Sequence, residues 1–138
     1  MDARELAVSA EYLVAVEDGD DWREAVEEAA AAEGVASAWF TGTGTVRDAD
    51  VWYYDPSTEE HRSVRFDEPL TVAACVGDVS RPDGDPFART HAVLSRPSGQ
   101  AVGGYLNAAT VVEGRVYLRA FEDETPFAGT TETFSPGS

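Results

Sequence analysis

Pro86-Phe87-Ala88-Arg89-Thr90-His91-Ala92-Val93-Leu94, followed by Gly103-Gly104-Tyr105-Leu106, is the part of this sequence that says most about the fold. Side chains two apart on a strand point the same way, so Arg89 and His91 share one strand face beside an apolar run. Pro97-Ser98-Gly99 separates the two pieces and carries residues that supply a fixed φ or left-handed geometry. A connection this short joins antiparallel neighbours, because parallel strands need a crossover of roughly a dozen or more residues.

The same alternation of strands and short turns extends outward in both directions. Strands are expected at 11–16, 36–41, 45–54, 60–66, 70–79, 87–96, 100–106 and 110–121, with turns at 17–20, 55–58 and 82–85. One segment has a different period. Asp21 is placed as an N-cap with Glu24 three residues on, Trp22, Ala25, Val26, Ala29 and Ala30 recur at helical spacing, and Gly34 stops the run. Its small apolar face suits a helix lying across a sheet. Gly42-Thr43-Gly44 lacks the following helix and lysine of a phosphate loop and reads as a tight turn, while Gly103-Gly104 reads as a bulge or a close backbone approach. The expected fold class is α+β: a compact single domain over 1–138, mainly antiparallel sheet, with one principal amphipathic helix at about 21–33 and an acidic tail prone to fraying at 122–138.

Thr41-Gly42-Thr43-Gly44-Thr45-Val46-Arg47-Asp48-Ala49, Tyr53-Tyr54-Asp55-Pro56, Glu68-Pro69-Leu70, the block from Gly84 to Leu94, Gly103-Gly104 and Val116-Tyr117-Leu118 follow one another in an order that resembles the plants-and-prokaryotes conserved (PPC) domain family. The resemblance implies a homotrimer similar in architecture to the zinc-dependent acetolactate decarboxylases. It also implies a three-histidine metal cluster built from a His-x-His pair and a Gly-Gly-His-Leu. Here only His91 is retained; Arg89 stands at the first histidine position and Tyr105 at the third. Arginine offers no lone pair and repels a divalent ion, so no metal site and no zinc cofactor are expected. The other histidine, His61, lies outside the motif.

Arg89, His91 and Tyr105 are therefore the candidate ligand-binding residues, able to hold a carboxylate or phosphate. The competing reading is a hydrogen-bonded cluster between subunits, and it is the one favoured here, since buried polar groups usually serve satisfaction first. No catalytic residue is assigned. Cys75 is the single cysteine and lies in an apolar run, as a small core residue would. Asp48, Asp50 and Asp55 do not fit a calcium loop and are expected to be solvated. Trp52, Tyr53 and Tyr54 near Arg62 and Arg65 faintly resemble a base-stacking platform, but cross-strand packing explains them equally well.

Charge narrows the function classes. The chain has 26 acidic residues against 10 basic ones, all arginine, for a net charge of −16. Residues 1–34 carry 11 acids and 2 arginines, residues 35–120 carry 11 and 8, and residues 121–138 carry 4 and none. Autonomous binding to duplex DNA is disfavoured, because it rests on a local surplus of positive charge. A patch of Arg62, Arg65, Arg81 and Arg115 across a trimer is the remaining route to DNA. There is no signal peptide and no membrane-length apolar run, which points to a cytoplasmic protein without a membrane partner. The expectation is a non-catalytic homotrimeric binding or regulatory protein, DNA-associated by family analogy. The alternative is a small-anion-binding protein or decarboxylase-like enzyme.

Lysine-free acidity of this degree matches a halophilic, haloarchaeal surface, since the Debye length falls to about 3 Å at 1 M salt and the carboxylates then scarcely repel one another. The melting temperature should therefore rise steadily from dilute buffer to molar NaCl. A chain fully stable in dilute buffer would contradict this.

Overall fold

Asp21 ties the helix to the sheet. One carboxylate oxygen accepts from the Glu24 amide at 3.0 Å, capping the helix, and the other accepts from the Ala109 amide at 2.9 Å. The computed structural model describes residues 1–125. Their order is β1 (Val8–Val16), α1 (Trp22–Ala32), β2 (Ala38–Asp55), β3 (Glu60–Phe66), β4 (Leu70–Ser80), β5 (Phe87–Ser95) and β6 (Ala101–Phe121). The helix ends where expected: Gly34 takes a φ of 67°, which a side chain would resist, and the Val35 amide returns to the Ala30 carbonyl at 2.8 Å. The fold is α+β, with one helix against an antiparallel sheet.

All strand pairs are antiparallel, in the order β1-β6-β5-β4-β2-β3, and β2 also pairs with β6. The pairings β2–β4, β4–β5, β5–β6 and β6–β2 thus run full circle, while β1 and β3 remain outer edges. Two expected breaks are absent. Gly42-Thr43-Gly44 is not a turn but lies inside an 18-residue strand, and the two segments expected at 100–106 and 110–121 merge, from Ala101 on, into one 21-residue strand. The physical reason is that β2 is paired on both sides through this region, to β4 and to β6, so the two glycines bend it through a bulge without interrupting it. Further register shifts at Thr45/Val46, Val46/Asp48 and Asp50/Val51 let the two long strands coil around each other.

The interior is set by two aromatic residues resting on glycines. Gly44 and Gly114 face one another across β2 and β6, and a methyl at either would lie 3.1 Å or 2.6 Å from Cζ3 of the fully buried Trp22. Phe40, also fully buried, sits over Gly77, where a methyl would meet its Cζ at 2.6 Å and the Arg89 carbonyl oxygen at 2.0 Å. Around them pack Val16, Val26, Val46, Leu70, Leu94, Val111 and Leu118. Cys75 is buried here as a free thiol. Burial pushes the thiol up to about 11, with a small opposing effect from the Trp22 indole beside it. The indole N–H finds no acceptor of ordinary hydrogen-bond geometry.

The start of the acidic tail is held. The Glu122 amide donates to the Ala7 carbonyl, and Asp123 pairs with Arg4 at 3.0 Å. The rest of the expected tail, 126–138, lies outside the described residues. Among those described, no helix is long and apolar enough to cross a membrane.

Gly114→Ala forces a methyl to within 2.6 Å of Trp22 and 2.7 Å of Val16, so it should destabilise the fold by about 1–3 kcal/mol. Gly103→Ala, whose nearest neighbour is the Ala92 carbonyl at 3.3 Å, should cost clearly less. Thermal melts of the two variants, compared under identical salt, test the ranking.

Candidate functional site

Strand β5 alternates as its sequence suggests. Ala88, Thr90, Ala92 and Leu94 turn into the core, and Arg89, His91 and Val93 turn to the outer face of the sheet. The register then brings the three expected residues together: His91 is opposite Tyr105, and their rings meet edge to face with centroids 5.8 Å apart. Arg89 is half-buried, with an inaccessible Nε that has no acceptor among the described residues, while Tyr105 is buried. Gly104 makes the neighbourhood possible, since a methyl there would sit 2.5 Å from the Trp52 carbonyl oxygen. The Gly-Gly pair is a place of close backbone approach, as its composition suggests.

Three further residues join them that sequence patterning did not single out. Asp78 on β4 is the register partner of Arg89, yet no ion pair within 4 Å forms between them. Arg23 and Glu27, one turn apart on α1, reach the other side. Arg23 donates to the Asn107 carbonyl at 3.1 Å and lies over the Phe87 ring at 5.0 Å, and Glu27 accepts from the Ala88 amide at 2.9 Å. Arg23 and Glu27 pair at 3.6 Å. A signal for this existed in the sequence: an Arg and a Glu four apart on an otherwise small-residue helix.

Burial controls the protonation of the group. Desolvation raises the carboxyls of Glu27 and Asp78 above their ordinary values; the Ala88 hydrogen bond and Arg23 oppose this at Glu27, and Arg89 and His91 oppose it at Asp78. Desolvation and then the Arg89 charge lower His91, which favours neutral imidazole, against a smaller pull from Asp78. Burial raises the Tyr105 phenol, with Arg23 the main opposing influence. Leaving a buried charged donor such as Arg89 Nε without an acceptor costs about 1–3 kcal/mol or more. The group therefore presents a half-buried guanidinium, a neutral imidazole and an un-ionised phenol.

Elsewhere the aromatic patch resolves into cross-strand pairs. Tyr53 faces Arg62, and Tyr54 meets His61 with ring centroids 5.2 Å apart. Arg62 pairs with Asp55 and Glu60, and Arg65 with Asp48 and Asp67, so neither offers spare charge to a phosphate. Arg62 and Arg65 lie on edge strand β3, while Arg115 lies between β1 and β2; one chain does not gather them into a patch. Asp48, Asp50 and Asp55 are not merely solvated. They accept from the Thr110 amide, from Asn107 and Trp52, and from Ser57.

Among the described residues, one helix on an antiparallel sheet that closes through two long strands, with a polar cluster on the outer face of β5, defines a small α+β domain. The chain belongs to the Plants and Prokaryotes Conserved (PCC, also written PPC) domain family, whose profile matches residues 3–122. It is similar to a metal-containing protein of Archaeoglobus fulgidus at 30% identity and a TM-score of 0.84, over 98% of each chain. A plant- and prokaryote-conserved protein of Pyrococcus horikoshii aligns at 22% identity and a TM-score of 0.84, over 95% of this chain and 92% of that one. A Ralstonia eutropha protein provisionally named as DNA-binding aligns at 22% identity and 0.75, over 83% and 81%. The architecture also matches a Staphylococcus aureus protein similar to alpha-acetolactate decarboxylase, at 15% identity and 0.57, over 84% of this chain and 53% of that one. No functionally curated protein matches the sequence.

The metal of the Archaeoglobus relative does not suit the residues here. Among the described residues no three His, Cys, Asp or Glu side chains converge as a ligand set. At the cluster Arg89 brings a permanent positive charge with no lone pair, leaving His91 and Asp78 as donors on one side and Glu27 engaged by Ala88 and Arg23.

Because Asp78 holds its proton more tightly folded than unfolded, its burial cost is absent below its ordinary value of 3.8 and fully present once pH exceeds the raised folded value. Asp78→Asn should therefore raise the melting temperature at pH 7 by a few degrees and change it little near pH 3, measured in molar NaCl. A lower melting temperature at pH 7 would show that attraction to Arg89 and His91 outweighs desolvation.

Proposed function

We propose that this chain is a non-catalytic binding module that works as a self-associated assembly, a homotrimer on the pattern its family resemblance implies, with the outer sheet face as the contact between copies. The observation that carries this reading is the make-up of that face. One row across the sheet runs Leu13, Tyr117, Thr41, Val76, His91, and the next runs Glu11, Arg119, Trp39, Asp78, Arg89. Leu13 is 75% exposed, and Trp39, Val76, Val93 and Tyr117 are exposed beside it. A shallow groove of about 430 Å³ opens between Leu13, Val76, Arg115 and Tyr117. No helix of the described residues covers this face; α1 lies against the other one.

Charge selects the occupant. On a chain of net charge −16, two copies meeting by their acidic surfaces repel one another. The outer sheet face instead balances Glu11, Asp78 and Glu113 with Arg89, Arg115 and Arg119, so copies can gather this face around a common axis without net like-charge repulsion. The lysine-free acidic excess, a net charge of −16, supports a halophilic protein. The one thiol, Cys75, is buried and pushed up to about 11, which disfavours it as a nucleophile.

DNA association is the second reading, favoured by the provisional name of the Ralstonia relative. The neutralised arginines of β3 argue that any such role runs through a partner, or through a surface built only on assembly.

Val76→Arg places three or more like charges at the contact without disturbing the core, because Val76 is exposed in the single chain. Light scattering in molar NaCl should show the wild type at a multiple of 14.8 kDa and the variant at the monomer mass with its melting transition retained. A monomeric wild type would overturn the reading.

A further inference from the structure

We infer that the free edge of β1 receives an extended segment of another protein, one that carries a basic residue two positions from an aliphatic one. β1 and β3 are the outer strands of the sheet, and their edges differ. Glu60, His61, Arg62 and Arg65 charge the β3 edge, a common way for a sheet to discourage further pairing. β1 has nine residues and a single charged one, Glu11, which is already held by Tyr117 and Arg119. Among the described residues no strand pairs with its far edge. Free backbone N–H and C=O groups along a nearly uncharged strand are a template for one more strand.

The ground beside this edge selects the occupant. An apolar groove of about 250 Å³ opens between Tyr12 and Val14 of β1, Ala29 and Ala32 of α1, and Leu118. A second hollow of about 250 Å³ adjoins it at Tyr12 and Glu33, and its walls include Glu122 and Glu124. Those three glutamates form no ion pair among the described residues, and no arginine lines either hollow; Arg4 is taken up by Asp123 and the Thr125 carbonyl. An added strand sends alternate side chains, about 7 Å apart, toward the same face. One of them enters the apolar groove and is aliphatic, and the next on that face meets the carboxylates and is lysine or arginine. At 1 M salt charge acts over only about 3 Å, so this cation sits in contact with the glutamates. A second copy is a poor occupant, because it brings a net charge of −16 to an acidic trough. The inference does not depend on the outer-face contact, since the trough lies between β1 and α1.

The test is calorimetry in molar NaCl with acetyl-Arg-Thr-Val-Thr-Val-Thr-Arg-amide, whose basic and aliphatic residues share one face read from either end. Two comparison peptides replace both arginines by glutamate or carry the same sequence with every backbone amide N-methylated. The proteins are wild type, Ala32→Arg, which fills the apolar groove from an exposed position, and Thr58→Arg, which adds the same charge at the exposed β2–β3 turn. Saturable binding of the arginine peptide to wild type and Thr58→Arg, weakened about tenfold or more in Ala32→Arg and for both comparison peptides, is the expected result. No binding to the wild type, undiminished binding to Ala32→Arg, or equal binding of the N-methylated peptide would overturn the inference. So would a peptide that binds only by lowering the mass of the assembly, since a second copy then holds the edge.

Discussion

The seat of Trp22 on the Gly44–Gly114 pair fixes more of this molecule than any other contact. A fully buried indole at the first turn of α1 can lie against the sheet only because two strands present bare backbone beneath it. The Asp21 side chain locks the same turn from outside, bonding both Glu24 and Ala109. Once that turn is placed, helical geometry decides the rest. Arg23 is carried to Asn107 and Phe87, and Glu27, one turn on, reaches the Ala88 amide. The packing of one aromatic side chain thus positions two charged residues of the polar cluster, and the cluster inherits the rigidity of the core.

Charge is organised on a different principle from packing. Most arginines are consumed in ion pairs at strand edges and turns, where each exposed pair contributes little to stability but locally offsets the acidic excess. The consequence is a surface with almost no spare positive charge and one balanced face. Such a distribution leaves self-association and the capture of small anions open while opposing contact with a polyanion. Arg81, Arg89 and Arg115 stand outside this pattern, Arg81 bonding the Val35 carbonyl instead.

Much of the fold was legible in the sequence because its signals were local. The helix with its cap, the hairpin turns, and the alternation along β5 follow from residue types a few positions apart. Gly42-Thr43-Gly44 was not legible as a bulge. Two glycines between apolar runs look like a turn until pairing on both sides of β2 is known, and that pairing is contributed by strands more than 25 residues distant. The site divides in the same way. Arg89, His91 and Tyr105 announced themselves by position in a motif, and register brings them together. Asp78 was hidden because nothing in Gly77-Asp78-Val79 says that its neighbour across the ladder is Arg89. Arg23 and Glu27 lie outside the apolar spacing that marks the helix in the sequence, and only the seat of Trp22 turns them toward β5.

The departure from the family's histidine pattern changes the chemistry that the position can support without changing the fold that supports it. In the family pattern the first position provides an electron pair to a cation; in this chain it provides a cation. A sheet position that presents a side chain to a half-buried outer face works equally well for either, because the backbone ladder, the glycine approach at Gly104 and the core beneath are indifferent to the side chain's sign. What is not indifferent is the partner. A metal site asks for several converging lone pairs, and a guanidinium supplies none. Kinship to a metal-containing relative at 30% identity therefore carries the scaffold across but not the donor set that a metal would need.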